Sequence, residues 1–252
     1  MIGERAERDH WMWLKKVDLN GYTLIVPSVA VGNVGQLACD ILISSLGMDK
    51  IVRIYTPAQF PVIGCNPYDI NSTVLSTSCE VYRASSPKLI VLQMKAPLVF
   101  KYAQGFLENI VKQFLRKNIK DMIILTSSYA HERRYIMTSP FRYIVYPYTH
   151  YKTQIVKNNM IDHDHQIENE IRIFGGGFAP MLFSICKEKS LPCFLLYKYC
   201  SEGDNIPDAI EMVKKLHELI EIFDKDKDIS EQMIQPESWK HLFGRPPPQD
   251  IY

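Results

Sequence analysis

The chain has 252 residues, with 29 Lys and Arg against 28 Asp and Glu, a formal net charge of +1. That balance gives the molecule no overall attraction to nucleic acid or anionic lipid. Hydrophobic residues make up 46%, ordinary for a soluble globular protein, and no apolar run approaches the ~18 residues a membrane span needs.

In chain order, residues 1–18 read as a loose leader, charged from the fourth residue and lacking an apolar signal region. Tyr22–Pro27 is a short β-branched run, hence a buried strand. Asn33 is placed to cap a helix whose Val34, Leu37, Ala38, Ile41, Leu42 and Ser45 recur at helical spacing, with Gly47 ending it. Strands are expected over Ile51–Tyr55, Thr73–Tyr82 and Lys88–Gln93. Gln104–Lys117 predicts an amphipathic helix with Phe106, Leu107, Ile110, Val111, Phe114 and Leu115 inward. Met122–Leu125 and Phe141–Tyr146 predict strands, and polar Tyr148–His165 a surface loop. Gln166–Ile173 alternates like a half-buried strand. After "GGG", a helix is expected over Ala179–Lys187 and a strand over Pro192–Tyr199. The clearest helix follows, capped by Asp204 or Asn205, with Pro207 in its first turn and an apolar stripe from Ile206 to Phe223. A short helix near Pro236–Phe243 precedes the end. Strands alternating with helices argue for an α/β layered fold, a largely parallel sheet with helices on both faces. We expect one domain over 19–243 and a Pro-rich tail over 244–252.

The six cysteines form no C-x-x-C pair and fit free thiols in a reducing cytosol. This places the chain in the cytoplasm and leaves entry into the nucleus open.

No complete catalytic set is visible. "AVGNVGQ" holds Gly32 and Gly35 but neither G-x-G-x-x-G nor a lysine followed by Ser or Thr, so a nucleotide loop is disfavoured. "FGGGFAP", with Gly175, Gly176 and Gly177, could cradle an anion at a helix N-terminus, but a tight strand-to-helix turn is the better reading. "SEGDNIPDA" carries Glu202 and Asp204 where α/β enzymes place catalytic groups; Gly203, Asp204 and Asn205 also make an ordinary helix cap, which we prefer. "DHDHQ" at Asp162–Gln166 resembles metal ligands but has polar flanks and no second ligand group, and "HERR" at His131–Arg134 reads as a charged turn. "SSY" at Ser127–Tyr129 lacks a nucleophile elbow. We therefore expect no cofactor and no metal. The helix after Asn33 is unusual in carrying one charge, Asp40, between Val34 and Met48. A helix apolar nearly all round is covered on more than one side. Either another layer of this chain covers Val34, Leu37, Cys39 and Ile43, or a partner protein does.

"GRPPPQDIY" closes the chain. Its three prolines favour a stiff extended segment that could reach about 28 Å from Gly244 to Tyr252. Such a tail loses little entropy on docking, and its carboxylate suits a lysine or backbone nest. A frayed end is the alternative.

Several ordered stretches together resemble the proteasome assembly chaperone family. They are "PSVAVGNVGQLACDILIS", "NPY" at Asn66–Tyr68, "EVYR" at Glu80–Arg83, "TSPFRYIV" at Thr138–Val145, "IFGGG", "SEGDNIPDA" and "SWKHLFGRPPP". The resemblance implies a three-layer α/β/α sandwich related to nucleoside phosphorylase-like folds, without catalysis. It implies a heterodimer with proteasome assembly chaperone 1 that binds α subunits, promotes assembly of the 20S α-ring and prevents off-pathway association. It also implies that Asp250, Ile251 and Tyr252 dock between α subunits. In the family's tail the tyrosine is penultimate, whereas Tyr252 is last here, so insertion is weaker, shifted by one residue or left to the partner's tail. The alternative from the residues alone is a phosphorylase- or hydrolase-like enzyme using the glycine turns and Glu202/Asp204.

Overall fold

A computed structural model describes residues 9–163, 166–167 and 170–241. In chain order it contains β1 (His10–Trp13), β2 (Thr23–Pro27), α1 (Val34–Ser45), β3 (Asp49–Tyr55), β4 (Ile63–Gly64), β5 (Ser76–Thr77), β6 (Cys79–Ala84) and β7 (Leu89–Met94). Then follow α2 (Phe100–Leu115), β8 (Asp121–Tyr129), β9 (Phe141–Tyr146), α3 (Tyr148–Lys157), β10 (Gln166–Ile167) and β11 (Glu170–Ile171). Last come α4 (Ala179–Glu188), β12 (Cys193–Cys200), α5 (Ile206–Ile220) and α6 (Ile229–Gln232).

Eight strands form one sheet in the order β1-β3-β6-β7-β2-β8-β12-β9. The four central strands, β7, β2, β8 and β12, are parallel, and both flanks are antiparallel. Central strands with helices above and below must bury both faces, which is why β2, β7 and β12 are buried along their whole lengths. In β2, Leu24 and Val26 point to one core with Phe106, Leu107 and Leu182, while Ile25 points to the other with Leu42 and Leu216. Helices α2 and α4 thus cover one face and α1, α3 and α5 the other, the expected α/β/α sandwich.

Four expectations change. The strand expected over Thr73–Tyr82 is broken: β5 pairs with β4 in a separate ribbon, and only β6 joins the main sheet. Residues 10–13 do not lie in a loose leader: β1 pairs antiparallel with β3, Trp11 opposite Ile54. Trp11 and Trp13 pack on the α2-side core, and Trp11 meets the Phe114 ring edge-on at 5.8 Å. Tyr148–Lys157 is helix rather than loop. Its apolar face is only Tyr151 and Ile155, one turn apart, too little for a visible helical stripe. Gln166–Ile173 adds no strand to the main sheet; β10 and β11 pair with each other.

Candidate functional site

The three glycine turns singled out by sequence meet at the C-terminal ends of the parallel strands. They line an open depression of about 610 Å³ together with Val29, Val31, Tyr129 and Glu202. This crevice lies where open α/β sheets commonly hold ligands. Two glycines permit its close packing. Gly32 has φ +64°, and a Cβ there would sit 2.6 Å from the Asn205 carboxamide. Gly177 has φ +61°, and a Cβ there would strike the Val29 carbonyl and the Ser28 hydroxyl.

Four buried hydroxyls fasten the turns to the strand ends. Ser28 and Thr126 both donate to the Gly176 carbonyl at 2.9 Å. Ser127 donates to the Val31 carbonyl, and Ser128 to that of Phe174 at 2.9 Å. Each is thereby held against backbone rather than aimed into the crevice as a nucleophile. The run "TSSY" after an apolar strand was the available signal for these staples. Among the described residues the only charged side chain lining the depression is Glu202, the wrong sign for a phosphate site. Asp204 accepts from the Ile206 N–H at 3.1 Å, so it caps α5. Asn205 stands at the N-cap position without a side-chain cap bond; its amide donates instead to the Ser201 carbonyl and to Asp208, both at 2.8 Å. Asn33 precedes α1 in a left-handed conformation, also without a side-chain cap bond. Gly35 presses α1 onto the β8 backbone, and Gly203 borders open space.

The candidate partner face on α1 is largely covered by this chain. Val34 and Cys39 are fully buried and Ile43 is 2% exposed; Leu37 packs partly buried against the same core. The covering layer comes from distant sequence. Tyr68, Met233 and Trp239 pack over this core, the Ile234 N–H donates to Ser45 at 2.8 Å, and the Ser238 N–H donates to the Pro67 carbonyl at 3.1 Å. The single charge of α1 is met there: Tyr68 and Gln93 each donate to Asp40 at 2.5 Å. Burial raises the Asp40 carboxyl above its ordinary value despite these bonds.

The "EVYR" stretch places Glu80, fully buried, beside this layer. Its carboxylate accepts from Lys50, Ser76 and Tyr82, each at 2.7 Å, with Arg53 at 3.7 Å and Lys95 at 3.9 Å. Burial alone would raise this carboxyl, but the bonds from Lys50, Tyr82 and Ser76 outweigh it and hold it below its ordinary value. In "TSPFRYIV", Arg142 is 1% exposed and donates to the carbonyls of Ser139 and Phe141 at 2.6 and 2.9 Å. Sequence reasoning read neither as chemistry: the charge that meets Glu80 comes from Lys50, thirty residues earlier, and Arg142 spends its guanidinium on the carbonyls of its own turn.

Among the described residues no group of three His, Cys, Asp or Glu could hold a metal ion, and no helix is long and apolar enough to cross a membrane. His163 of "DHDHQ" meets the Tyr197 hydroxyl at 2.7 Å; Asp164 and His165 lie outside the described residues. Of the six free cysteines only Cys65 is exposed. Burial raises the thiols of Cys39, Cys79 and Cys193, and pushes that of Cys200 up to about 11, away from nucleophilic use. The tail residues Asp250, Ile251 and Tyr252 lie outside the described residues.

A model of the PAC2 family matches residues 24–237. The Homo sapiens protein named proteasome assembly chaperone 2 is 35% identical over 254 residues, covering 93% of this chain and 96% of that one. The protein of that name from Saccharomyces cerevisiae is 25% identical over 263 residues, covering 91% and 97%. Two Pyrococcus furiosus crystal structures share the fold. PbaA, described as an archaeal homolog of proteasome-assembly chaperone, has a TM-score of 0.69 at 13% identity, covering 87% of this chain and 89% of that chain. PbaB, described as an archaeal proteasome activator, has a TM-score of 0.67 at 15% identity, covering 89% and 92%.

Proposed function

Because this chain belongs to the PAC2 family, we propose that it is a proteasome assembly chaperone that acts by binding and not by catalysis. The observation that carries the reading is its likeness, nearly end to end, to proteins of that name. The strand-end crevice supports the non-enzymatic part: the Ser28, Thr126, Ser127 and Ser128 hydroxyls beneath it are tied to backbone carbonyls, and among the described residues Glu202 is its only charged lining residue. On this reading the chain forms a heterodimer with proteasome assembly chaperone 1 in the cytoplasm or nucleus. The pair holds α subunits, promotes the 20S α-ring and prevents off-pathway association. Residues 19–243, with β1 added before them, act as one chaperone domain, and Asp250–Tyr252 add a contact to the ring.

Reconstitution tests this. The full chain, the partner chaperone and the α subunits are co-expressed and followed by native electrophoresis and negative-stain microscopy. A heterodimer that raises the yield of α-rings is expected. A monodisperse monomer with no affinity for the partner or the α subunits overturns the reading. Removing Asp250–Tyr252 should weaken ring binding and leave the heterodimer intact.

The crevice's position favours one other reading, a phosphorylase- or hydrolase-like enzyme using the glycine turns and Glu202/Asp204. A thermal-shift screen with phosphate and nucleosides tests it, and a flat response is expected.

A further inference from the structure

We infer that the end of the sheet where β2, β3, β7, β8 and β12 terminate is a permanent protein–protein interface, covered by the heteropartner of the preceding section; the choice of occupant rests on that reading. These five strands run in one direction, so their following loops leave from the same end. Among the described residues nineteen large apolar side chains are well exposed. Fourteen belong to these strand ends, to the loops and first helical turn that follow them, or to the turn bonded to Tyr129. The five elsewhere are Met12, Leu14, Tyr148, Val156 and Ile234.

Three projections carry most of this surface. The first is the arm between β3 and β6, which includes the β4–β5 ribbon and exposes Phe60 and Ile63 (62% and 70%). That ribbon pairs only with itself, and a lone two-stranded ribbon is marginal in water. The second is the start of α2, where Phe100 is 88% exposed; the Val99 N–H donates to the Ala58 carbonyl at 2.8 Å and joins it to the base of the arm. The third is the tip between β8 and β9, where Ile136 and Met137 stand out at 74% and 98%. Arg133 donates to the carbonyls of Ile136 and Thr138 and holds this tip in shape. A tip ordered beforehand loses less entropy when a partner covers it.

The amount of surface selects a protein. At ~180 Å² per fully exposed large side chain, the fourteen present on the order of 1,500 Å². One side of a standard interface covers about 800 Å². The chemistry selects a lasting companion over a cargo that must be released. Permanent interfaces are the more apolar class, and the charges in these loops balance in sign, Lys95, Lys101 and Arg134 against Asp69, Glu132 and Glu202.

Hydrogen exchange read by mass spectrometry, on the full chain alone and in complex with the partner chaperone, tests the assignment. Exchange slowed about tenfold or more in residues 57–75, 98–102 and 133–138 of the complex is expected. Ile136→Asp with Met137→Asp should weaken the heterodimer at least about tenfold, while Val156→Asp, exposed on α3 at the opposite end, should leave it unchanged. If the complex forms without protecting these segments, the inference is overturned and the proposed function stands. Protection that appears only with α subunits, or in a homodimer of this chain, overturns the chosen occupant. If no complex forms, the proposed function fails and the occupant fails with it.

Discussion

At the strand-end crevice, Ser28 and Thr126 donate to one carbonyl, that of Gly176, and backbones approach so closely that two turns exclude a Cβ. Some distance away along the chain, Glu80 is enclosed by Lys50, Ser76, Tyr82, Arg53 and Lys95, and Asp40 is held by Tyr68 and Gln93. Both regions are built from stretches the sequence marks as unusual. The first depends on shape and neutral hydrogen bonds; the second depends on charge taken out of water. A buried carboxylate is tolerable only when its partners are complete, whereas a tight glycine turn needs only space. In both, the hydrogen-bonding groups named are engaged within the chain, so these motif residues are spent on holding the fold.

This contrast can be broken from either side. The largest effect is expected from Glu80→Gln. It strands Lys50 and its neighbours beside a neutral group and should cost about 3–4 kcal/mol in chemical denaturation. A cost below that of Gly177→Ala would mean the cluster is more hydrated than its burial suggests. Next is Gly177→Ala, which meets the Val29 carbonyl and a positive φ; about 2–3 kcal/mol is expected from the same measurement. Gly105→Ala, inside α2 with open space around it and no positive φ, is the control and should not destabilise. Tyr68→Phe removes one of two donors to half-buried Asp40 and should cost about 1–2 kcal/mol.

The smallest and sharpest effect is in pH dependence. Glu80, with its folded pKa lowered, contributes stability that is present above the ordinary carboxylate value and lost as pH falls through the folded one. Asp40, with its folded pKa raised, contributes stability that is present below the ordinary value and lost as pH rises through the folded one. Urea midpoints taken upward from about pH 4 should therefore fall less steeply in Asp40→Asn than in the parent chain. The cost of Glu80→Gln should shrink toward acid. Parallel pH profiles for all three chains would show that the two carboxyls are not opposed.

Elements that carry their own periodic stripe were legible. Helix α2 buries Phe106, Leu107, Ile110, Val111 and Phe114 as the spacing predicts. Helix α5 buries Ala209, Val213, Leu216 and Leu219 and adds Met212. The elements missed were those stabilised from elsewhere. The strand β1 exists because Trp11 and Trp13 find Phe114 and the β3 edge, and α3 because two residues find the core around Phe194. At the site, the glycine turns were recognisable one by one. That they meet was not, since Gly32, Gly177 and Gly203 lie on three separate loops.

By itself the sequence determined the layered α/β class, the buried central strands, the glycine turns and the absence of a recognisable catalytic motif, because each depends on local periodicity or on side-chain chemistry at short spacing. Tertiary structure alone decided that α1 is covered by the sheet, by α5 and by Tyr68, Met233 and Trp239 of its own chain, that Glu80 and Asp40 are satisfied, and that exposed apolar side chains concentrate at one end of the sheet. Those outcomes depend on which distant segments the parallel strand order brings together, and no window of neighbouring residues contains that information.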